Sequence, residues 1–592
     1  MDFAIALVED FLSIQTRLND RNFSSLRSMK AEGSFGDVPR ETSSAAARMH
    51  AADAHRRARA AAEAAANVWE DELTVRTSSG WVRGTREEDL RTDRPISAPV
   101  RSWRGIPFGA DTSGAQRFRA AEKAPSWEGV RECYDFGPVA PQPIYSWQDR
   151  VAGREDCLHL DVVRPDNDEK LPVVVYIHGG SFIVGSSHML MLRGFELAAQ
   201  MNVVYVSINF RLGALGYLDL RSLGGECSAN PAVSDQLLAL QWVKENIAAF
   251  GGDDGNITLM GESAGGAAVL TLMTVPRAHG LFHRAIAQSP PIGMLHSRAQ
   301  STFWARELVN RMALPRAASV DDLREAEFGD IVRAGQSMMW RAGELFHLNS
   351  CYAPTVDDDL IPLHPLEAFA QGKQADVPLL VGTNSDEASF GKFLYQRQSA
   401  RRRAALRLLA SFDEVNAPAV VEAYGGAVAR QDFAHLLTDA LFWAPTVRVA
   451  DAHSREHETW MYRFDFAPAA LKWLGLGAMH SMELSNIFGD PGASRVSALT
   501  RMGDSALMDD MTQLMQSQWS SFIHTGRPNE NWPRYEPSQR KTMIFDSEPQ
   551  VVDAPFERRR QAWQNYHMLE WGSGRPELLA ALGLETRQQD NG

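Results

Sequence analysis

The stretch Asn256-Ile257-Thr258-Leu259-Met260-Gly261-Glu262-Ser263-Ala264-Gly265-Gly266, running on into Ala267-Ala268-Val269-Leu270-Thr271-Leu272-Met273, decides how this chain is read. Residues 256–260 are short, β-branched and apolar, which predicts a buried strand. Residues 267–273 predict a helix. Between them stands G-x-S-x-G. A serine at a tight strand-to-helix turn is forced into a strained backbone conformation that lifts its hydroxyl clear of the sheet. Gly261 and Gly265 lack a Cβ and Ala264 has only a methyl, so the two backbones can pass closely. The five-residue pattern arises by chance in many chains. Its flanking strand and helix favour a nucleophilic Ser263 over a purely structural turn.

A second element lies upstream. Leu171-Pro172-Val173-Val174-Val175-Tyr176-Ile177 is a continuous apolar run, as expected of a strand buried on both faces of a parallel sheet. It ends in His178-Gly179-Gly180-Ser181-Phe182. A glycine-rich loop at the C-terminal end of such a strand can turn backbone N–H groups outward, where they stabilise the oxyanion of a tetrahedral intermediate. Alone the Gly-Gly pair reads equally well as an ordinary turn. Beside the serine turn, the oxyanion loop is the better reading.

These motifs, with several others, resemble the type B carboxylesterase family, which includes bacterial p-nitrobenzyl esterases, animal carboxylesterases and cholinesterases. The others are Val75 to Gly84, Trp103-Arg104-Gly105-Ile106-Pro107-Phe108, Glu155-Asp156-Cys157-Leu158, Asn209-Phe210-Arg211-Leu212-Gly213, the stretch from Asp235 to Gly266, and Trp519, Phe522 and Thr525-Gly526-Arg527-Pro528. The likeness runs from about residue 72 to 570. It implies an α/β-hydrolase fold: a large, mostly parallel sheet flanked by helices, with helical insertions over the site. The implied boundaries are an N-terminal extension at 1–71, the hydrolase domain at 72–571 and a C-terminal tail at 572–592.

The resemblance also supplies partners for Ser263. The family's acid follows a strand ending in Gly; here Val377-Pro378-Leu379-Leu380-Val381-Gly382 leads to Asn384-Ser385-Asp386-Glu387, and Glu387 takes that position, with Asp386 as its alternative. The family's histidine lies in G-x-x-H-x-x-E-x-x-x-x-F-G, matched by Gly477 to Gly489 with His480 as the histidine. The order Ser, Glu, His is the order an α/β-hydrolase requires. His480 would act as base and then acid, Glu387 would orient it, and the N–H groups of Gly180, Ser181 and Ala264 would form the oxyanion hole. No cofactor or metal is implied. Relatives often carry a third glycine where this chain has Ser181, so bulky alcohol groups are expected to be disfavoured. Pocket candidates are Phe182, Met338, Met339, Trp340 and Phe390, though each could equally be core.

Composition agrees with a large soluble enzyme. The chain has 592 residues, 44% of them hydrophobic, and a net charge of -14, which disfavours nucleic acid and anionic membranes as partners. No apolar run approaches the ~20 residues of a membrane span. The expected partner is a small-molecule ester, and the expected state a monomer or weak dimer. Residues 1 to about 70 read as a disordered or loosely helical extension. The short run Phe3 to Val8, flanked by Asp2 and Glu9-Asp10, does not suit a secretory signal. Secreted relatives pair the Cys of E-D-C-L with one in G-P-x-C-P-Q. Here Ala140 replaces that partner, so Cys157 cannot make the bridge, and a cytoplasmic protein is expected.

The resemblance further implies that Arg104 pairs with Glu155 and Arg211 with Asp235. Glu262, before the serine, reads equally as a group that tunes His480 or as a structural hydrogen-bonding residue. Three classes of function stay open: a serine carboxylesterase on apolar, small to medium esters, a non-catalytic binding protein on the same fold, and an amide or carbamate hydrolase using the same residues. The first is favoured because Ser263, Glu387 and His480 are all present.

Overall fold

Long apolar runs become the middle of one eleven-stranded sheet. The structure is a computed structural model and describes residues 72–89, 95–144, 150–339, 349–490, 505–569, 571 and 575–582. The extension at 1–71 lies outside the described residues. The strands of the sheet are β1 (Thr85–Asp89), β2 (Pro95–Pro107), β3 (His159–Pro165), β4 (Leu171–Ile177), β5 (Val204–Ile208), β6 (Gly252–Glu262), β7 (Arg284–Gln288), β8 (Leu379–Asn384), β9 (Thr459–Phe464), β10 (Thr542–Phe545) and β11 (Gln550–Val552). In space they run β1-β2-β3-β5-β4-β6-β7-β8-β9-β10-β11. From β5 to β10 every neighbouring pair is parallel. β1, β2 and β3 form an antiparallel edge on one side, and β11 closes the other.

Helices cover both faces, and the period of two along each strand sorts the core between them. The main helices are α1 (Phe195–Met201), α2 (Pro231–Asn246), α3 (Ala264–Met273), α4 (Phe328–Met339), α5 (Gly391–Leu394), α6 (Arg430–Thr438), α7 (Ala469–Trp473), α8 (Leu484–Phe488), α9 (Ser505–Thr525) and α10 (Pro576–Ala581). Val173, Val175 and Ile177 of β4 join Ile257 and Leu259 of β6 in a core shared with α2 and α3. Val174 and Tyr176 point the other way, with Met260, Ile286, Leu380 and Tyr462, into a core shared with α1, α8 and α9. Both faces are apolar, which is why these strands read as continuous rather than alternating runs.

Some boundaries differ from the sequence reading. The strand expected over 256–260 runs from Gly252 to Glu262, because Gly252 already pairs with Leu171 and the register then shifts before Ile257. The helix expected from Ala267 starts at Ala264, directly after the serine. The strand before Glu387 begins at Leu379 rather than Val377 and ends at Asn384. Residues 575–582, assigned to the tail, contain α10, and Leu579 and Leu582 pack on the main core.

One of the two expected ion pairs is corrected. Arg211 and Asp235 pair as expected, with Nη2 2.6 Å from Oδ1 and both side chains buried. Arg104 does not reach Glu155. It pairs with Glu87 and lies over the rings of Phe136 and Phe195. The reason is the edge hairpin: β1 lies antiparallel on β2, which carries Arg104, and so brings Glu87 to it. Burial lowers the Arg104 pKa to about 10. Glu155 instead receives two bonds from Arg117, Nε at 2.6 Å and Nη2 at 2.7 Å. Among the described residues, no helix is long and apolar enough to cross a membrane.

Candidate active site

The turn after β6 is fixed by contacts that leave no room for side chains. Ser263 has φ 57° and ψ -124°, a left-handed backbone that a non-glycine residue rarely adopts. It is held by its N–H, which donates to Gln288 O at 2.9 Å, and by its carbonyl, which accepts from Ala267 N–H at 2.9 Å. A Cβ on Gly261 would sit 2.5 Å from Gly265 O, and one on Gly265 would sit 2.0 Å from Ile177 O. Both glycines are therefore needed by close approach of backbone to backbone.

The glycine-rich loop after β4 lies against this turn. A Cβ on Gly179 would lie 3.2 Å from the Cβ of Ser263. Gly180, Ser181 and Phe182 follow with φ of 117°, 55° and 64°. Three positive φ values in succession end the extended backbone of β4. The loop is stabilised by Ile183 and Val184 N–H donating to Gly180 O. Ala264 opens α3, so its N–H is one of the four that no helical carbonyl can reach.

The other flank is built from side chains. β8 ends at Asn384, whose N–H donates to Glu387 Oε1 at 2.7 Å, and whose Nδ2 donates to Met479 O at 2.7 Å. One asparagine thus ties the carboxylate to the histidine loop. His480 Nδ1 lies 2.5 Å from Glu387 Oε2 and its Nε2 lies 2.8 Å from Ser263 Oγ. With Nδ1 donating to the carboxylate, Nε2 is left to accept from the serine hydroxyl. Asp386, the alternative acid, points elsewhere: it accepts from Ser385 Oγ and lies 3.6 Å from Lys392 Nζ.

Two further carboxylates converge on His480. Glu262 Oε1 is 3.4 Å from its Nε2 and accepts from Ser481 Oγ at 2.5 Å. Glu483 is buried and accepts from Asn384 Nδ2 at 2.6 Å. Burial pulls the His480 pKa down, but the charges of Glu262 and then Glu387 outweigh it and raise the pKa to about 9. Burial raises Glu262 above the usual carboxylate range. Burial, reinforced by the charges of Glu262 and Glu387, pushes Glu483 up to about 8.

The proposed pocket residues are scattered. Phe182 is buried with its ring 4.6 Å from that of Tyr217. Met338 is fully buried in the core on the α4 face that also carries Ile331 and Ala334, and Met339 packs partly buried on the same core. Trp340 lies outside the described residues. Phe390 is 39% exposed just before α5. A residue the sequence reading missed is Phe442, whose ring lies 4.7 Å from that of His480. It sits in a π-helical turn, Asp439–Trp443, separated from Pro445 by Ala444 alone. Pro445 has no N–H for the carbonyl four residues back, and a widened turn absorbs the mismatch. A proline inside an otherwise helical stretch was the available signal.

A hydroxyl, an imidazole and a carboxylate in line, beside a loop with three successive positive φ values, form an arrangement suited to acyl transfer. The comparisons with known proteins agree with that chemistry. The model of the carboxylesterase family matches residues 71–563. The para-nitrobenzyl esterase of Bacillus subtilis (strain 168) is 34% identical over 501 residues, covering 82% of this chain and 97% of that protein. The phenmedipham hydrolase of Pseudarthrobacter oxydans is 30% identical over 468 residues, covering 75% and 91%. The crystal structure of the carboxylesterase EST55 of Geobacillus stearothermophilus superposes with a TM-score of 0.71 at 31% identity, covering 83% of this chain and all of that one. With its α/β-hydrolase fold, the chain belongs to the carboxylesterase family and is a carboxylic ester hydrolase.

Proposed function

We propose that the chain hydrolyses apolar carboxylic esters of small to medium size through Ser263, His480 and Glu387, by way of an acyl-enzyme. The observation that carries this is the unbroken line from Ser263 Oγ to His480 Nε2 and from His480 Nδ1 to Glu387 Oε2. His480 takes the serine proton as Oγ attacks the ester carbonyl, because an unassisted hydroxyl is a poor nucleophile at neutral pH. Glu387 fixes the tautomer and stabilises the imidazolium. The N–H groups of Gly180, Ser181 and Ala264 receive the oxyanion. The tetrahedral adduct collapses, the C–O bond to the alcohol breaks, and His480 returns the proton to the leaving oxygen. Water then attacks the acyl-enzyme with His480 again as base, which frees the acid and restores Ser263.

Cys133, Cys157, Cys227 and Cys351 are all free, which supports work in a reducing, cytoplasmic setting. The test is hydrolysis of p-nitrophenyl acetate, butyrate and octanoate by the wild type and Ser263→Ala. A fall in kcat of about 10⁶-fold in the folded variant is expected. A variant that keeps most of the activity, or a folded wild type with none, would overturn the reading.

A further inference from the structure

Four of the seven large apolar side chains that stand exposed among the described residues lie on two adjoining loops and the short helices in them, Phe393 within α5 and Trp473 at the end of α7: Phe390 (39%), Phe393 (43%), Trp473 (86%) and Leu474 (47%). Both loops leave from the pair Glu387 and His480. Phe390 and Phe393 follow Glu387 by three and six residues, and Trp473 and Leu474 precede His480 by seven and six. The loops are fastened to each other twice. Asp386 N–H donates to Ala478 O at 3.0 Å, and Lys392 Nζ donates to Gly475 O. They also touch where Gly477, at φ 65°, leaves only 2.2 Å between a built Cβ and Asp386 Oδ2. Tied side by side, the two loops hold this apolar surface within about 25 Å of Glu387 and His480 along the chain.

A soluble protein seldom groups its exposed aromatic and leucine side chains without use. The rest of the site gives the group a direction. Phe442 lies with its ring 4.7 Å from that of His480 and Phe182 is buried in the loop after β4, so apolar side chains stand at the site as well. We infer that Phe393, Trp473 and Leu474 form an outer ledge that receives the distal part of an unbranched alkyl chain of the ester, on its acyl or its alcohol side. The inference rests on the ester-hydrolase reading above and extends it to longer chains. Full burial of a methylene is worth about fourfold in kcat/KM. A ledge covers one side of the chain, so about half of that exponent, roughly twofold per methylene, is expected for the atoms that lie on it.

The experiment compares the wild type with the double variant Trp473→Ser/Leu474→Ser, both sites being exposed. Two substrate series are used below their solubility limits: p-nitrophenyl acetate, octanoate and dodecanoate, and ethyl, hexyl and decyl acetate. The expected result is a loss of roughly tenfold in kcat/KM for the longest member of one series, carried by KM, with acetate esters of short alcohols changed less than twofold. Equal losses on short and long substrates, or no loss in either series, would overturn the ledge. So would a loss confined to concentrations above the solubility limit, which would mark docking on an ester aggregate instead. If the wild type fails on short and long esters alike, the ester-hydrolase reading falls, a distinct outcome.

Discussion

The two flanks of the candidate site are held by different physics. On the Ser263 flank the backbone does the fixing. Gly261, Gly265 and Gly179 allow main chains to pass where any Cβ would collide, and Ser263, Ser181 and Phe182 stand at positive φ. On the His480 flank side chains do it. Asn384, Glu387, Glu262 and Glu483 orient the imidazole through hydrogen bonds and charge. The first flank is therefore intolerant of volume and indifferent to pH. The second tolerates isosteric change in shape but responds to every proton.

After loss of Ser263 itself, the largest expected effect breaks the electrostatic flank. Glu387→Gln keeps the shape but presents an amide to Nδ1 and removes the charge that stabilises the imidazolium. A fall in kcat of about 10⁴-fold is expected, near 5 kcal/mol, with little change in melting temperature. Activity within tenfold of wild type would mean the carboxylate does not orient His480. The steric flank is broken by Gly265→Ala, which sets a methyl 2.0 Å from Ile177 O. The backbone of β4 or α3 must move, costing about 3 kcal/mol in a denaturant titration and displacing Ser263 as well. A variant as stable as wild type would show that the turn is looser than these contacts imply.

A third change sharpens the contrast without breaking either side. Among the charges that raise the His480 pKa, that of Glu262 acts most strongly. The base must be neutral to act, so kcat/KM rises as pH rises through the histidine pKa. In Glu262→Gln that pKa falls, and the acid limb of the profile moves to lower pH, while the amide oxygen still accepts from Ser481. A limb that stays put, or moves up, would remove Glu262 from the electrostatics of the base. The smallest effect belongs to the oxyanion loop. Ser181→Gly removes bulk beside the ester carbonyl and relieves a left-handed serine. The rate on tert-butyl acetate relative to ethyl acetate should rise by roughly tenfold. An unchanged ratio would place the Ser181 side chain away from the alcohol group.

The Arg117–Glu155 pair gives the same lesson on the scaffold side. The sequence reading chose a residue in the right motif, Glu155, but the wrong cation, because pairing across loops depends on which strand edges meet. β1 folds onto β2 and hands Glu87 to Arg104, which leaves Glu155 to Arg117. Removing either member of the buried Arg117–Glu155 pair is expected to cost about 3 to 5 kcal/mol.

The sequence alone made the parallel sheet and the strained serine turn legible, while Glu387 and His480 entered as candidates through the resemblance of their motifs to those of the family. The sheet and the turn rest on local rules: apolar run length, and glycine where no Cβ fits. Tertiary structure alone decided the rest. It brought Glu262 to 3.4 Å from His480 Nε2, set Phe442 on the imidazole through a π-turn, buried Met338 in the core and left Trp473 in water. Those outcomes depend on which distant elements share a face, and no window of neighbouring residues contains that information.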